Sequence, residues 1–253
     1  MRKFHTALAS ALLATALHNA CAQDVLRVYG PGGPAPAMKE AASAFEKQTG
    51  IQVQLTAGPT GAWIAQAQQD ADLVYSGSET MMTDLVAAMG DQLGSSAATP
   101  LYLRPLAMLV RPGNPRHIRA FTDLMKPGVK VLVVNGSGQN GVWEDAAGRT
   151  GDIRQVTALR ENIVSYASNS ALARTTWIQR PDIDVWLIWD IWQVSNASLA
   201  DIVPIEPKYA IYRDTGVAIT ARGERNGEAN QFVEFLRSGN GAAIFSHFDW
   251  KTQ

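Results

Sequence analysis

The stretch VYGPGGPAPAMKEAASAFEKQTG, residues 28–50, decides how this chain is read. Its start is the end of an alternating run, DVLRVYG, that has the period of a strand. Its middle is a loop of glycine and proline, and Pro36 follows where a first helical turn tolerates a residue without an N–H. Its end is a helical run closed by Thr49 and Gly50. The order is strand, small loop, helix, and the order recurs. IQVQL at 51–55 places Ile51, Val53 and Leu55 on one face and runs through GPTGAW into an alanine- and glutamine-rich helix. ADLVY at 71–75 leads through Ser76, Gly77 and Ser78 to a helix opened by Glu79, an acid at the positive end of the helix dipole. Alternation of this kind predicts an α/β chain with a doubly wound, mostly parallel sheet, whose ligands sit beyond the carboxyl ends of the strands.

The pattern breaks at LYLRPLAMLVRPGNP, residues 101–115, a long apolar strand that carries Arg104 inside it and suits a crossing between two lobes. A second α/β block follows: VKVLVV with the loop NGSGQNG and the helix GVWEDAAGR, a helix start at SNSALARTTWIQ, and the strand DVWLIW. PKYAIYRDTGVAIT, residues 207–220, reads as a second long strand that returns to the first lobe. GEANQFVEFLRS is the expected closing helix, with Phe232, Phe235 and Leu236 on one side.

The amino terminus has Met1-Arg2-Lys3, an apolar run and NACAQ, the order of a secretory leader with cleavage expected after Ala22. The sole cysteine, Cys21, leaves with it, and a mature chain without disulfides suits the bacterial periplasm. The formal net charge of −1 falls to about −3 once Arg2 and Lys3 are removed, which gives no electrostatic footprint for nucleic acid.

Residues 30–35 fit G-x-G-x-x-A, yet a dinucleotide reading fails on three counts. No acid follows the second strand to bind a ribose. Pro31, Pro34 and Pro36 delete three N–H donors, and an exported protein meets little dinucleotide. Only His117 and His247 remain beyond the leader, both expected on the surface, so a histidine metal centre or a Ser-His-Asp triad has almost nothing to be built from. No cofactor is expected. The match of NAS at Asn196 to a glycosylation sequon is of a length common by chance. Helix N-termini, in contrast, offer backbone N–H groups and a positive dipole end, and five here carry small loops: GPGGP, GPTGAW, SGSE, NGSGQNG and SNS. Any one could be a plain βα turn; together they point to an anion held by amides and hydroxyls.

These motifs in collinear order, with GVWEDAAGR and YRDTGVAI, resemble the accessory colonisation factor C family of periplasmic solute-binding proteins, itself similar to molybdate- and sulfate-binding proteins of ABC importers. The resemblance implies a type II periplasmic-binding fold with two α/β lobes, two crossing segments and a ligand cleft. It implies a leader over 1–22, a first lobe over 23–106 and 211–253, and a second over 107–210. It places ligand contacts at Gly32 or Gly33, at Thr60 and Gly61, and at Ser76 and Ser78. In the second lobe it places them at Ser137, Gly138, Gln139 and Asn140 and at Asn169 and Ser170, with Tyr212 and Arg213 on the return crossing. The loop before GVWED is shorter than in the members it resembles. Arg213 and Arg174 are forked donors suited to carboxylate or phosphate, although a salt bridge with Asp214 would occupy Arg213. Trp63, Gln139 and Asn140 add aromatic and amide surface for a carbon skeleton. The expected ligand is a small multi-anionic organic or phosphorylated acid, with a sulfate- or molybdate-type oxyanion as the alternative. The expected partners are an ABC permease and ATPase, a chemoreceptor in place of transport, or a second copy of the chain. An exported enzyme is the least favoured reading.

Overall fold

A computed structural model describes residues 25–93, 98–136, 138–225 and 227–252. The leader expected over 1–22 and the site residue Ser137 lie outside them.

The first block is β1 (Leu26–Gly30), α1 (Ala35–Thr49), β2 (Val53–Ala57), α2 (Ile64–Asp70), β3 (Leu73–Tyr75) and α3 (Glu79–Met89). The crossing strand β4 (Ala98–Val110) follows. The second block is β5 (Val131–Val134), α4 (Val142–Gly148), α5 (Ile153–Asn162), β6 (Ile163–Ala167), α6 (Ser170–Gln179), β7 (Val185–Trp189), α7 (Ile191–Val194) and β8 (Asp201–Pro204). β9 (Tyr212–Ile219), α8 (Glu228–Arg237) and α9 (Gly239–Ser246) complete the chain.

The strands follow the order β2-β1-β3-β9-β4-β7-β5-β6, with β8 also on β4. Within each block the pairing is parallel, β1 with β2 and β3, β5 with β6 and β7. The two crossing strands are antiparallel, so the sheet is mixed rather than mostly parallel. β4 serves both blocks: Ala98 to Pro105 pair with β9, and Leu106 to Val110 pair with β7 and, from Ala107, with β8. The change of partner falls at Pro105 and Leu106, where the Leu106 N–H donates to Ile211 O at 2.8 Å and the Asp190 N–H donates to Pro105 O at 3.2 Å. Proline lacks the N–H that would extend a ladder, so a change of partner costs least there.

Two elements differ from the sequence reading. PKYAIYRDTGVAIT is not one strand: Pro207–Tyr209 is a 3-10 turn, with Tyr209 buried against Phe121, and β9 begins only at Tyr212. Proline fixes the turn's first residue, and the buried tyrosine ring stands where an alternating pattern suggested a strand position. α8 is not the closing helix, because the Ser238 hydroxyl accepts the Gly241 N–H and starts α9. The edge strand β6 alternates buried and exposed residues, with Tyr166 and Val164 outward.

One apolar cluster runs through both blocks, with Trp177, Trp186 and Trp189 fully buried on the second-block side and Phe45 and Phe232 on the first. Phe45 meets Phe232 and Phe235 at centroid separations of 5.1 and 5.6 Å, which ties α1 to α8. A second cluster beneath α2 and α3 holds Tyr29, Trp63 and Met82.

Candidate functional site

The strand-to-helix loops of both blocks converge on a cavity of about 80 Å³. From the first block come Pro31, Gly32, Gly33 and Pro34 ahead of α1, Gly58 to Thr60 ahead of α2, and Gly77 and Met81 at the start of α3. From the second come Gln139, Asn169, Ser170 and Ala171, and Trp189 and Trp192 at the end of β7 and in α7. Arg104 enters from the crossing strand. Among the described residues the lining contains no Asp, no Glu and a single cation.

The polar groups are arranged to donate. Pro31, Pro34 and Pro36 bring no N–H, so the first loop's amides are those of Gly32, Gly33, Ala35 and Ala37, at the positive end of α1. Ser170 Oγ accepts from Gln139 Nε2 at 2.9 Å, which leaves the hydroxyl proton to be given elsewhere. Asn169 Oδ1 caps α6 by accepting the Leu172 N–H at 2.9 Å, and its amide nitrogen remains a donor. The indole N–H groups of Trp189 and Trp192 are buried with no partner among the described residues.

Arg104 is the residue that sequence reasoning noticed and did not place in the site. It is 3% exposed, and burial pulls its pKa down to about 9, opposed by Asp214, Asp190 and their charge, so it remains cationic at neutral pH. One guanidinium nitrogen donates to Asp214 O at 3.1 Å and the other to Gly77 O. Its Cζ stands 4.7 Å from the ring centroids of both Trp189 and Trp250. The signal in the sequence was a lone cation within an apolar strand run, since a buried charge requires compensation. The compensating groups are distant in sequence and left no local trace.

Of the residues expected to touch ligand, Gly32, Gly33, Thr60, Gln139, Asn169 and Ser170 line the cavity. Gly61 sits one residue beyond the lining, in the turn before α2. Trp63 turns into the core against Tyr29, its indole N–H given to Gly58 O at 3.1 Å. Ser76 is fully buried and bonds to Thr215 and Gly216 of β9. Ser78 accepts the Met81 N–H at 3.1 Å as the cap of α3 and donates to Gly138 O at 3.2 Å, a direct contact between the blocks. Asn140 is exposed outside the lining.

The two arginines expected at the ligand stand elsewhere. Arg174 Nε donates to Asn196 Oδ1 at 2.7 Å on the outer side of α6. Arg213 pairs with Asp145 of α4 at 2.9 Å rather than with Asp214, whose carboxylate accepts the Glu79 N–H at 3.0 Å. Arg213, Glu144, Arg149 and Ile211 border a separate, more open concavity of about 420 Å³. The adjacent Tyr212 is half exposed. Strand alternation sends the side chains at 212 to 214 to alternate faces, and the long arginine reaches α4. Among the described residues no group of His, Cys, Asp and Glu could hold a metal ion, and no helix is long and apolar enough to cross a membrane.

Residues 26–250 match the family model described as bacterial extracellular solute-binding protein. The structure is similar to L-phospholactate-bound PEB3, at 32% identity and a TM-score of 0.85 over 90% of this chain and 100% of that one. It is similar to Peb3 from Campylobacter jejuni at 31% identity and a TM-score of 0.84, over the same 90% and 100%. The fold extends to the sulfate-binding protein SubI from Mycobacterium tuberculosis, at 19% identity and a TM-score of 0.71 over 89% of this chain and 86% of that one. Among curated protein sequences, no relative matches. The architecture is the two-lobed type II periplasmic-binding fold. A converging cleft lined by donors, and a match that spans nearly all described residues, lead to one assignment: the chain belongs to the bacterial extracellular solute-binding proteins.

Proposed function

We propose that the chain captures a small organic acid bearing phosphate or carboxylate groups in the cleft between its lobes and delivers it to an ABC importer. The observation that carries this reading is the composition of the cleft. Among the described residues its lining has one cation, Arg104, and no carboxylate, and its remaining polar groups are amides, hydroxyls and indole N–H donors. An anion gains there from the guanidinium and the N–H and hydroxyl donors, while a cation meets no acceptor of opposite charge. The aromatic and proline walls, Trp189, Trp192, Pro31 and Pro59, suit the carbon skeleton of an organic acid more than the hydrated shell of a bare oxyanion. PEB3, about a third identical, has been crystallised with L-phospholactate, a molecule of this class. The reading includes a first lobe over 23–106 and 211–253, a second over 107–210, and rotation about Arg104–Leu106 and Tyr209–Tyr212. A leader over 1–22 would place the protein in the periplasm.

A thermal-shift panel tests the ligand class after ligand carried through purification has been removed. L-phospholactate, 3-phosphoglycerate and citrate form one arm, sulfate and molybdate the other. A ligand at 100 times its Kd stabilises by about 2.7 kcal/mol, a rise of roughly 5–10 °C for a chain of this size. If sulfate or molybdate raises the melting temperature and the organic acids do nothing, the organic-acid reading falls and a bare-oxyanion binder replaces it.

A further inference from the structure

The single cation of the cleft is held by a residue that does not line it. Trp250 follows α9, is 3% exposed, and stands with its ring centroid 4.7 Å from Arg104 Cζ. The segment that carries it is anchored to the crossing strand: the Lys251 N–H donates to Leu103 O at 2.7 Å, and the Leu103 N–H donates to Lys251 O at 3.1 Å. Phe245 of α9 packs edge-on to Trp250 at 5.7 Å and meets Tyr102 of β4 at 4.8 Å. The last residues described therefore seat one indole on the guanidinium, and Trp189 of the second lobe supplies another.

We infer that Trp250 is a positioning residue for solute binding: it fixes the plane of the Arg104 guanidinium at the junction of the two lobes, together with Trp189, so that the cation is in place before an anion arrives. The inference rests on Arg104 as the cleft's cation. The physical argument is pre-organisation. A free arginine side chain loses rotamer freedom on binding a ligand, and a side chain already clamped does not. Hydrogen bonds alone leave the clamp incomplete, because the two that are made, to Asp214 O and Gly77 O, both go to terminal nitrogens, and Nε has no partner among the described residues. Contact with the electron-rich faces of two indoles restrains rotation about the guanidinium's own axis and stabilises a charge that burial disfavours. The carboxyl end of the chain thus takes part in the site without touching the solute.

Two readouts test it. In the ligand-free protein, the Arg104 Nε–H resonance, assigned by its loss in Arg104→Lys, is expected upfield of ordinary arginines through the indole ring currents. Trp250→Leu should move it back toward the ordinary position, and Trp250→Phe should move it part of the way. Titration with L-phospholactate should show affinity about tenfold weaker in Trp250→Leu and intermediate in Trp250→Phe. A plain packing role would lower the melting temperature, and would move the resonance by the lost ring current alone, while leaving the affinity as in the wild type, and that unchanged affinity, held within about twofold, overturns the inference. If Trp250→Leu does not fold, Trp250→Phe decides on the same criteria. If the wild type does not bind L-phospholactate, the proposed ligand class fails, and the Nε–H measurement still shows whether the Trp250 ring lies against the Arg104 guanidinium.

Discussion

Gly138 offers a substitution whose effects on stability and on binding separate cleanly. Its φ is +76°, in the left-handed region, and a Cβ there would stand 2.5 Å from Ser78 Oγ and 2.9 Å from Met81 Cβ. The first cost of Gly138→Ala is conformational, about 1–2 kcal/mol for an L residue in that region, and it falls on the open and the closed arrangement alike. It should lower the melting temperature by roughly 2–8 °C. The second cost is steric. Ordinary carbon contacts lie at about 3.5–4.0 Å, so the loop and the start of α3 must part by roughly 1 Å. That parting also loses the Ser78 to Gly138 hydrogen bond of 3.2 Å, and overpacking of this kind costs about 1–3 kcal/mol. If the lobes rotate as proposed, this cost falls only on the arrangement in which they meet. It should therefore appear as weaker affinity, about 5- to 150-fold, for whichever anion of the thermal-shift panel binds the wild type. Calorimetric titration and scanning calorimetry on the same preparations measure the two costs. Adding Ser78→Ala removes the nearer clash and keeps the Met81 one, so the double variant should regain part of the affinity while losing the cap of α3, worth about 1 kcal/mol. A Gly138→Ala protein with a lowered melting temperature and wild-type affinity would refute the reasoning, because Ser78 and Gly138 would then not be in contact in the bound state.

Other substitutions bear on the site and on the fold. Gly33→Asp should fold normally, since a Cβ there meets only ordinary contacts, Ile191 Cδ1 at 3.7 Å and Trp192 Nε1 at 3.8 Å. The added carboxylate would repel an anion from the start of α1, so titration should show binding reduced by more than tenfold at an unchanged melting temperature. Asp72→Ala should destabilise by about 2–4 kcal/mol in denaturant unfolding. Its buried carboxylate accepts the Arg27 N–H at 2.8 Å and pairs with Arg222 at 2.9 Å, and the Arg27 N–H would lose its acceptor while the partly exposed Arg222 would lose its counter-charge. Asp190 has its pKa raised to about 7 by burial, against the Ile191 N–H that favours its charged form. The folded state then binds the extra proton between the ordinary aspartate pKa and 7, so the wild type should lose stability as pH rises through that window and lose no more from this group above it. Asp190→Asn should abolish that slope in unfolding curves taken from pH 4 to 8, an effect of at most about 4 kcal/mol.

The sequence alone determined the features that depend on neighbours a few residues apart. The strand, small loop and helix of residues 28–50 stand as β1 and α1, and the helix expected to open at Glu79 is capped by Ser78. The loops at Gly32, Gly33, Thr60, Gln139, Asn169 and Ser170 reach one cavity, because the parallel strands within each block deliver their carboxyl ends to one side, and the antiparallel crossing strands turn those ends of the two blocks toward each other. Periodicity, proline placement and caps are local, and so they are legible before folding. The direction of a long side chain, and the burial of a charge, are not. Arg213 and Arg174 bear the chemistry of an anion site and turn to Asp145 and Asn196, while Trp63 and Ser76 are spent on the core and on β9. The cation that does reach the cleft is Arg104, whose bonded carbonyls at Gly77 and Asp214 are 27 and 110 residues away and whose second indole lies on the carboxyl-terminal segment. Only the tertiary structure could decide that placement, because burying a guanidinium becomes tolerable once separate elements have come together to bond and stack around it.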